Sequence, residues 1–218
     1  MHAYPPLAVE VSTPLLTLRG ATDDLLSELA PLVRAGEALA EPLPYDDPMS
    51  LYEEDPEVRV HRWLQGVWRG RGTVGADFWR LCFVVVHDGR AIGMQDLIGQ
   101  RFNHFGSATT FSWLAASARG RGLGQEMRAA ALHLAFEGFD ALQAESEAFM
   151  DNRGSNRISE TSGYEANGTA WATRRGSAAL MQRWRLRRED WLPRRRGDVA
   201  LQGIPQCRDA LGILPREP

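Results

Sequence analysis

Gly120, Gly122 and Gly124 alternate between Arg119, Arg121 and the start of a helical pattern at Leu123. Alternate glycines let a chain bend so that several amides point at one spot. A helix N-terminus adds partial positive charge at the same place. The chemistry of such a bend is capture of a phosphate or pyrophosphate. Two phosphate loops are excluded. The nucleotide loop G-x-x-x-x-G-K-[ST] needs a lysine, and all 25 basic residues of this 218-residue chain are arginine. The dinucleotide fingerprint G-x-G-x-x-G fails because Met127 stands where its third glycine belongs. What remains is R-x-x-G-x-G, as Arg119, Gly122 and Gly124, beside the plainer reading of a glycine turn capping a helix.

A second group follows about 30 residues on: Asp151, Asn152, Ser155, Ile158, Glu160, Gly163 and Tyr164. Asn152 suits a helix cap, and its amide could also bond a ligand. Ser155 lies one turn in. The preceding strand carries Glu145 and Glu147 two apart, hence on one face. Two carboxylates there are costly unless the face lines a wet cleft. Crowding would raise a pKa toward neutrality, as a base acting on an ammonium through a water requires. Asp96 is a further candidate base, and each acid could equally be solvated or salt-bridged.

The loop and the segment D-N-x-x-S-x-x-I-x-E-x-x-G-Y together resemble the GCN5-related N-acetyltransferase (GNAT) family. The nearest pattern is that of the ribosomal-protein N-terminal acetyltransferases, a branch that includes users of succinyl-CoA. The resemblance covers roughly residues 13 to 187. It implies acetyl-CoA or another acyl-CoA as co-substrate, with no metal, and transfer of an acetyl or succinyl group to a primary amine by direct attack in a ternary complex. It implies that main chain near Trp113 and Leu114 pairs with the pantetheine, and that one amide there polarises the thioester. Gly120, Arg121, Gly122, Leu123 and Gly124 would hold the pyrophosphate, with Arg119 and Arg121 facing it or the 3′-phosphate. Asn152 and Ser155 would meet the pantetheine and sulfur. The family's usual tyrosine acid is Ser159 here, so Ser155 would protonate the thiolate. The branch's glutamate base is Thr109 here, which leaves Glu147, Glu145 and Asp96 as catalytic candidates. These two departures keep a non-catalytic acyl-CoA-binding protein as the alternative.

The elements that must position these groups follow from patterning. Strands are expected over 13–19, 78–86, 91–98, 108–115, 141–150 and 181–186, with helices after Asp23, over 56–69, after the glycine loop to about Gly138, and from 151 to Gly163. His87-Asp88-Gly89-Arg90 reads as a hairpin turn. The fold class is α/β (α+β): a mixed, mostly antiparallel sheet, splayed between its fourth and fifth strands and flanked by helices. Residues 1–187 form the acyltransferase domain and 188–218 a tail packed on it. The eight carboxylates between Glu37 and Glu57 would attract a cationic acceptor, and interleaved Tyr45, Leu51 and Tyr52 suggest an ordered wall. The acceptor is a small-molecule or protein amine: a protein N-terminus, a lysine, an antibiotic or a polyamine. A net charge of −3 argues against nucleic acid and membrane partners. Two distant cysteines, no signal pattern and no long apolar run suggest a cytoplasmic protein. His61, His87, His104 and His133 lack metal spacing, with His104 able to reach the acceptor. Arg194 to Arg196 read as a solvated patch, and exposed C-terminal strands leave a homodimer open.

Overall fold

A computed structural model describes residues 4–215. Its strands are β1 (Glu10–Ser12), β2 (Thr17–Gly20), β3 (Phe78–His87), β4 (Arg90–Gln100), β5 (Ser107–Leu114), β6 (Gln143–Phe149), β7 (Glu165–Arg174), β8 (Ser177–Arg187) and β9 (Ala200–Gln202). Its helices are α1 (Asp23–Arg34), α2 (Pro56–Gly72), α3 (Phe102–Phe105), α4 (Leu123–His133), α5 (Arg153–Ser162), α6 (Arg188–Trp191) and α7 (Ile204–Leu211). The nine strands form one sheet in the order β7-β8-β6-β5-β4-β3-β2-β1-β9. Every pairing is antiparallel except β5 with β6. That one is parallel because α4 carries the chain back between them. This is the mixed, mostly antiparallel sheet expected.

The parallel pairing covers only Ser107–Thr109 against Gln143–Glu145. Past that point β5 stays on β4 as far as Leu114 and β6 stays on β8 as far as Phe149, so the two strands diverge. The sheet buries both faces, and each has its own core. One, under α4 and α7, holds Leu18, Trp79, Phe83, Leu114, Phe136, Phe139 and Tyr164. The other, under α1 and α2, holds Leu26, Leu29, Trp63, Val67, Met94 and Trp113, together with Tyr45, Leu51 and Tyr52. Leu25, Leu26, Leu29 and Val33 supply the buried stripe of α1 behind a Thr22 cap.

Three expectations need correction in whole or in part. The strand over 13–19 is a hairpin: the Thr13 hydroxyl accepts from the amides of Leu15 and Leu16 at 3.4 and 3.1 Å, turning β1 into β2. The stretch after Tyr164, to which patterning assigned no element, is the edge strand β7, paired with β8 across a turn where Arg175 and Gly176 both have positive φ. Its largely exposed, small residues gave no alternating signal. The helix after the loop reaches Gly138 as expected, α-helical to His133 and π-helical over Leu134–Gly138. Of the arginines expected to form a solvated patch, Arg194 and Arg195 are exposed, but Arg196 is half-buried and ties the tail to α4. Arg196 bonds both oxygens of Glu126 at 2.7 and 2.9 Å, Arg195 pairs with Glu137 at 2.7 Å, and Arg194 lies against Gly163. In the same tail β9 pairs with β1, and Cys207, Leu211 and Ile213 enter the main core.

Candidate active site

The divergence of β5 and β6 opens a cleft of about 1240 Å³ that passes between the strands. At its outer end the chain turns through Gly120 and Gly122, at φ +74° and +81°, and a Cβ built on either meets nothing within 4 Å. Only glycine adopts this backbone without strain, and nothing blocks the approach of a ligand. The amides of Gln125 and Glu126 turn back to the Gly122 carbonyl, whereas those of Gly120 to Gly124 have no main-chain partner among the described residues. Unpaired amides at a helix N-terminus make an anion cradle. Gly124 has another duty. A Cβ there would stand 2.9 Å from Ile158 Cδ1, so its absence lets α4 pack against α5. Leu123 is buried in the core and offers the cradle only its amide.

The arginines of the loop divide. Arg119 turns inward and donates to the carbonyls of Leu114, Leu39 and Glu37 at 2.9, 2.8 and 2.8 Å. Its guanidinium staples segment 37–39 to the loop and is not aimed at a phosphate. Arg121 is exposed, with Nη2 at 3.4 Å from His87 Nε2.

The inner walls come from the second group. Asn152 caps α5 by accepting from the Ser155 amide at 3.2 Å, and both residues line the cleft. The Ser155 hydroxyl lies one turn along. Ser159, a turn deeper, is fully buried with its hydroxyl unpaired. On the other side lie Trp113 and Leu114, both buried with cleft-facing surface. Their strand has lost β6 as a partner, so the main chain of β5 past Thr109 faces the gap.

The candidate bases separate clearly. Glu147 lines the main cleft, and Glu145 joins it, Thr109 and Arg183 around a smaller adjoining cavity. Burial by the cleft walls, then the negative charge of Asp46, push the Glu147 pKa up despite Arg183, and Glu145 adds to the rise. Glu145 is the more committed of the two, accepting from Gln143 Nε2 at 3.0 Å. Asp96 does not reach the cleft. It is 3% exposed beneath α2 and pairs with Arg80 at 2.7 Å. His104 sits in α3, between β4 and β5, at the strand ends opposite the glycine loop.

The acidic segment is an ordered wall. Tyr45 donates to Ala38 O at 2.9 Å and Tyr52 to Tyr45 O at 2.6 Å, and Tyr45 packs on Phe111 at 5.4 Å. Most of its carboxylates are engaged: Glu53, Glu54 and Glu57 with Arg62, Arg175 and Arg34, Asp47 with the Gly176 amide, Asp55 as the α2 cap, and Glu37 with the Ser117 amide. Glu41 lines the cleft, and Asp46 acts on Glu147. Sequence counting could not separate these two acids from the structural ones, because the separating partners lie on other elements.

The family model described as an acetyltransferase (GNAT) domain matches residues 16–165. The chain belongs to the GNAT acetyltransferase family. Membership supports acyl-CoA-dependent N-acyltransferase activity, and a cradle of free amides opening into a long cleft fits such a co-substrate. Solved structures of other proteins share the fold. RimJ of Mycobacterium smegmatis, in complex with CoA-disulfide, is 20% identical with a TM-score of 0.70, covering 98% of each chain. RimL, a ribosomal L7/L12 alpha-N-protein acetyltransferase in complex with coenzyme A, is 18% identical with a TM-score of 0.59, covering 80% of this chain and 95% of its own. The spermidine/spermine N-acetyltransferase SpeG of Vibrio cholerae is 17% identical with a TM-score of 0.62, covering 83% and 98%. Among the described residues no group of three His, Cys, Asp or Glu side chains could hold a metal, and no helix is long and apolar enough to cross a membrane.

Proposed function

We propose that this GNAT protein transfers an acetyl or succinyl group from acyl-CoA to a primary amine that arrives as an ammonium, by direct attack within a ternary complex. The observation that carries the reading is the alignment of three features in one cleft: the free amides of Gly120 to Gly124, the capped turn at Asn152 and Ser155, and Glu147 across the gap. The bound thioester supplies the activated acyl group. The chain does the rest. The cradle takes the pyrophosphate, the Asn152 amide meets the pantetheine arm, and main chain at Trp113 and Leu114 holds the thioester in the gap. An amide of that strand donates to its carbonyl, a contribution of up to about 3 kcal/mol. Glu147 takes a proton from the ammonium through a water. Its raised pKa brings it nearer to that task than an ordinary carboxylate. The Ser155 hydroxyl donates to the departing sulfur, which needs little help because a free thiol has a pKa of about 8.5.

Asp46 and Glu41 draw the ammonium toward Glu147. RimL acts on a ribosomal protein and SpeG on spermidine or spermine, as their names state, and a protein N-terminus or a polyamine would suit the same acidic mouth. The outer edge of β7, to which no further strand pairs among the described residues, with Trp171 74% exposed, supports a homodimer. The deciding experiment incubates the purified protein with acetyl-CoA or succinyl-CoA and a panel of amines, and follows thiol release. Amine-dependent thiol is expected. Tight CoA binding without thiol release for any amine would favour the sensing alternative.

A further inference from the structure

Arg128, on the second turn of α4, is 4% exposed and lines the cleft. Its Nε and Nη1 are buried with no hydrogen-bond partner among the described residues. Its Cζ stands 5.6 Å from the centre of the Tyr164 ring, a contact that favours a cation but does not neutralise it. A guanidinium cannot shed its proton, and a buried charge without a counter-charge is strongly disfavoured. The other cleft-lining arginines are unlike it: Arg119 is spent on three carbonyls, while Arg153 and Arg157 are exposed. Among the described residues no ion pair includes Arg128. Asp151 is held by Arg174 at 2.7 Å, and Glu147 has Asp46, Arg183 and Glu145 for its charged neighbours.

The depth of Arg128 narrows what its partner is. Because α4 returns the chain from β5 to the parallel strand β6, it runs from the open end of the gap toward the end where Thr109 and Glu145 rejoin. Arg128 is four residues past Gly124, about 6 Å further in along the helix. The phosphates of a CoA have the glycine amides at the mouth, so Arg128 awaits an anion nearer the reactive end. A neutral acetyl group offers none. A carboxylate at the far end of an acyl group supplies charge and paired acceptors together, the geometry a guanidinium fork matches.

We propose that Arg128 is a specificity-determining residue of the donor site and that it binds the terminal carboxylate of a dicarboxylic acyl-CoA, making that class the preferred donor. This rests on the acyl-CoA reading above.

The test is calorimetric binding of CoA, acetyl-CoA and succinyl-CoA to the wild-type protein, to Arg128→Met and to Arg128→Lys. Wild type is expected to hold succinyl-CoA at least about tenfold more tightly than acetyl-CoA, as a site with an otherwise unpaired polar group discriminates. Arg128→Met should erase that preference while leaving CoA and acetyl-CoA affinity little changed, and Arg128→Lys should keep part of it. If Arg128→Met does not fold, the wild-type ratio and the lysine variant still decide. Equal wild-type affinities for the two thioesters overturn the proposal. So does a uniform loss for all three ligands in Arg128→Met, which would mean the side chain holds CoA itself. So does an unchanged ratio with turnover lowered for both donors, which would mean it acts on the thioester. If none of the three binds, the acyl-CoA reading fails first.

Discussion

The two sides of the gap between β5 and β6 recognise their ligands by different means. On the side of α4 and α5 the anchoring contacts are mostly main chain, the amides of Gly120 to Gly124, joined by the side chains of Arg128, Asn152 and Ser155. On the side of α1 and α2 they are side chains brought from far apart in the chain, with Glu147 from β6 meeting Asp46 from the loop between α1 and α2. A backbone cradle depends on φ and ψ at a few consecutive residues. A pair of acids depends on two elements being packed correctly. Damage to the first should therefore act on donor affinity alone, and damage to the second on the acceptor and on pH behaviour.

The largest effect is expected from Gly122→Val. A β-branched residue at φ +81° is strained, and its side chain would intrude on the cradle. CoA affinity measured by calorimetry should fall about 100-fold, roughly 3 kcal/mol. Retained affinity would break the contrast by showing that the amides are not the contact. Next is Glu147→Gln, which should lower kcat/KM about 100-fold, as loss of a general base does, with donor affinity unchanged. For the wild type the rate should rise with pH through a pKa above the ordinary glutamate value, since the base acts deprotonated and its pKa is raised. That limb should vanish in the glutamine variant, and a limb that persists would move the base elsewhere.

Arg119→Met sharpens the comparison, because Arg119 joins the two sides. Removing its three bonds to carbonyls should cost roughly 3 kcal/mol of stability in denaturant unfolding. The KM for the amine should rise more than the KM for the donor as segment 37–39 loosens. A change confined to the donor KM would return Arg119 to the phosphate. The smallest effect is expected for Ser155→Ala, a fall in kcat of less than about tenfold in steady-state kinetics, because thiolate is a good leaving group near neutral pH. A larger loss would make the serine an obligatory acid.

Where the reading from residues alone stopped follows the same division. Gly122, Gly124, Asn152 and Ser155 could be named in advance because each does its work within a few residues of itself. By its place in the loop Arg119 reads as a phosphate ligand, and local spacing cannot show that Leu39 and Glu37 lie within its reach. Asp96 looked like Glu147 as a strand carboxylate. Only the packing of β3 beside β4 reveals Arg80 as its partner, and with it the separation from the cleft. Nothing in the sequence marks Arg128, since a helical arginine is ordinarily a surface residue.

By itself the amino-acid sequence determined the glycine bend, the capped helix behind Asn152 and the β-α-β order that makes β5 and β6 parallel. Backbone conformation and connection length are local properties. The tertiary structure alone decided which acids face the gap, which arginines are already paired and that Arg128 is buried with donors unpaired. Ion pairing and burial are set by residues that meet only once the sheet is assembled.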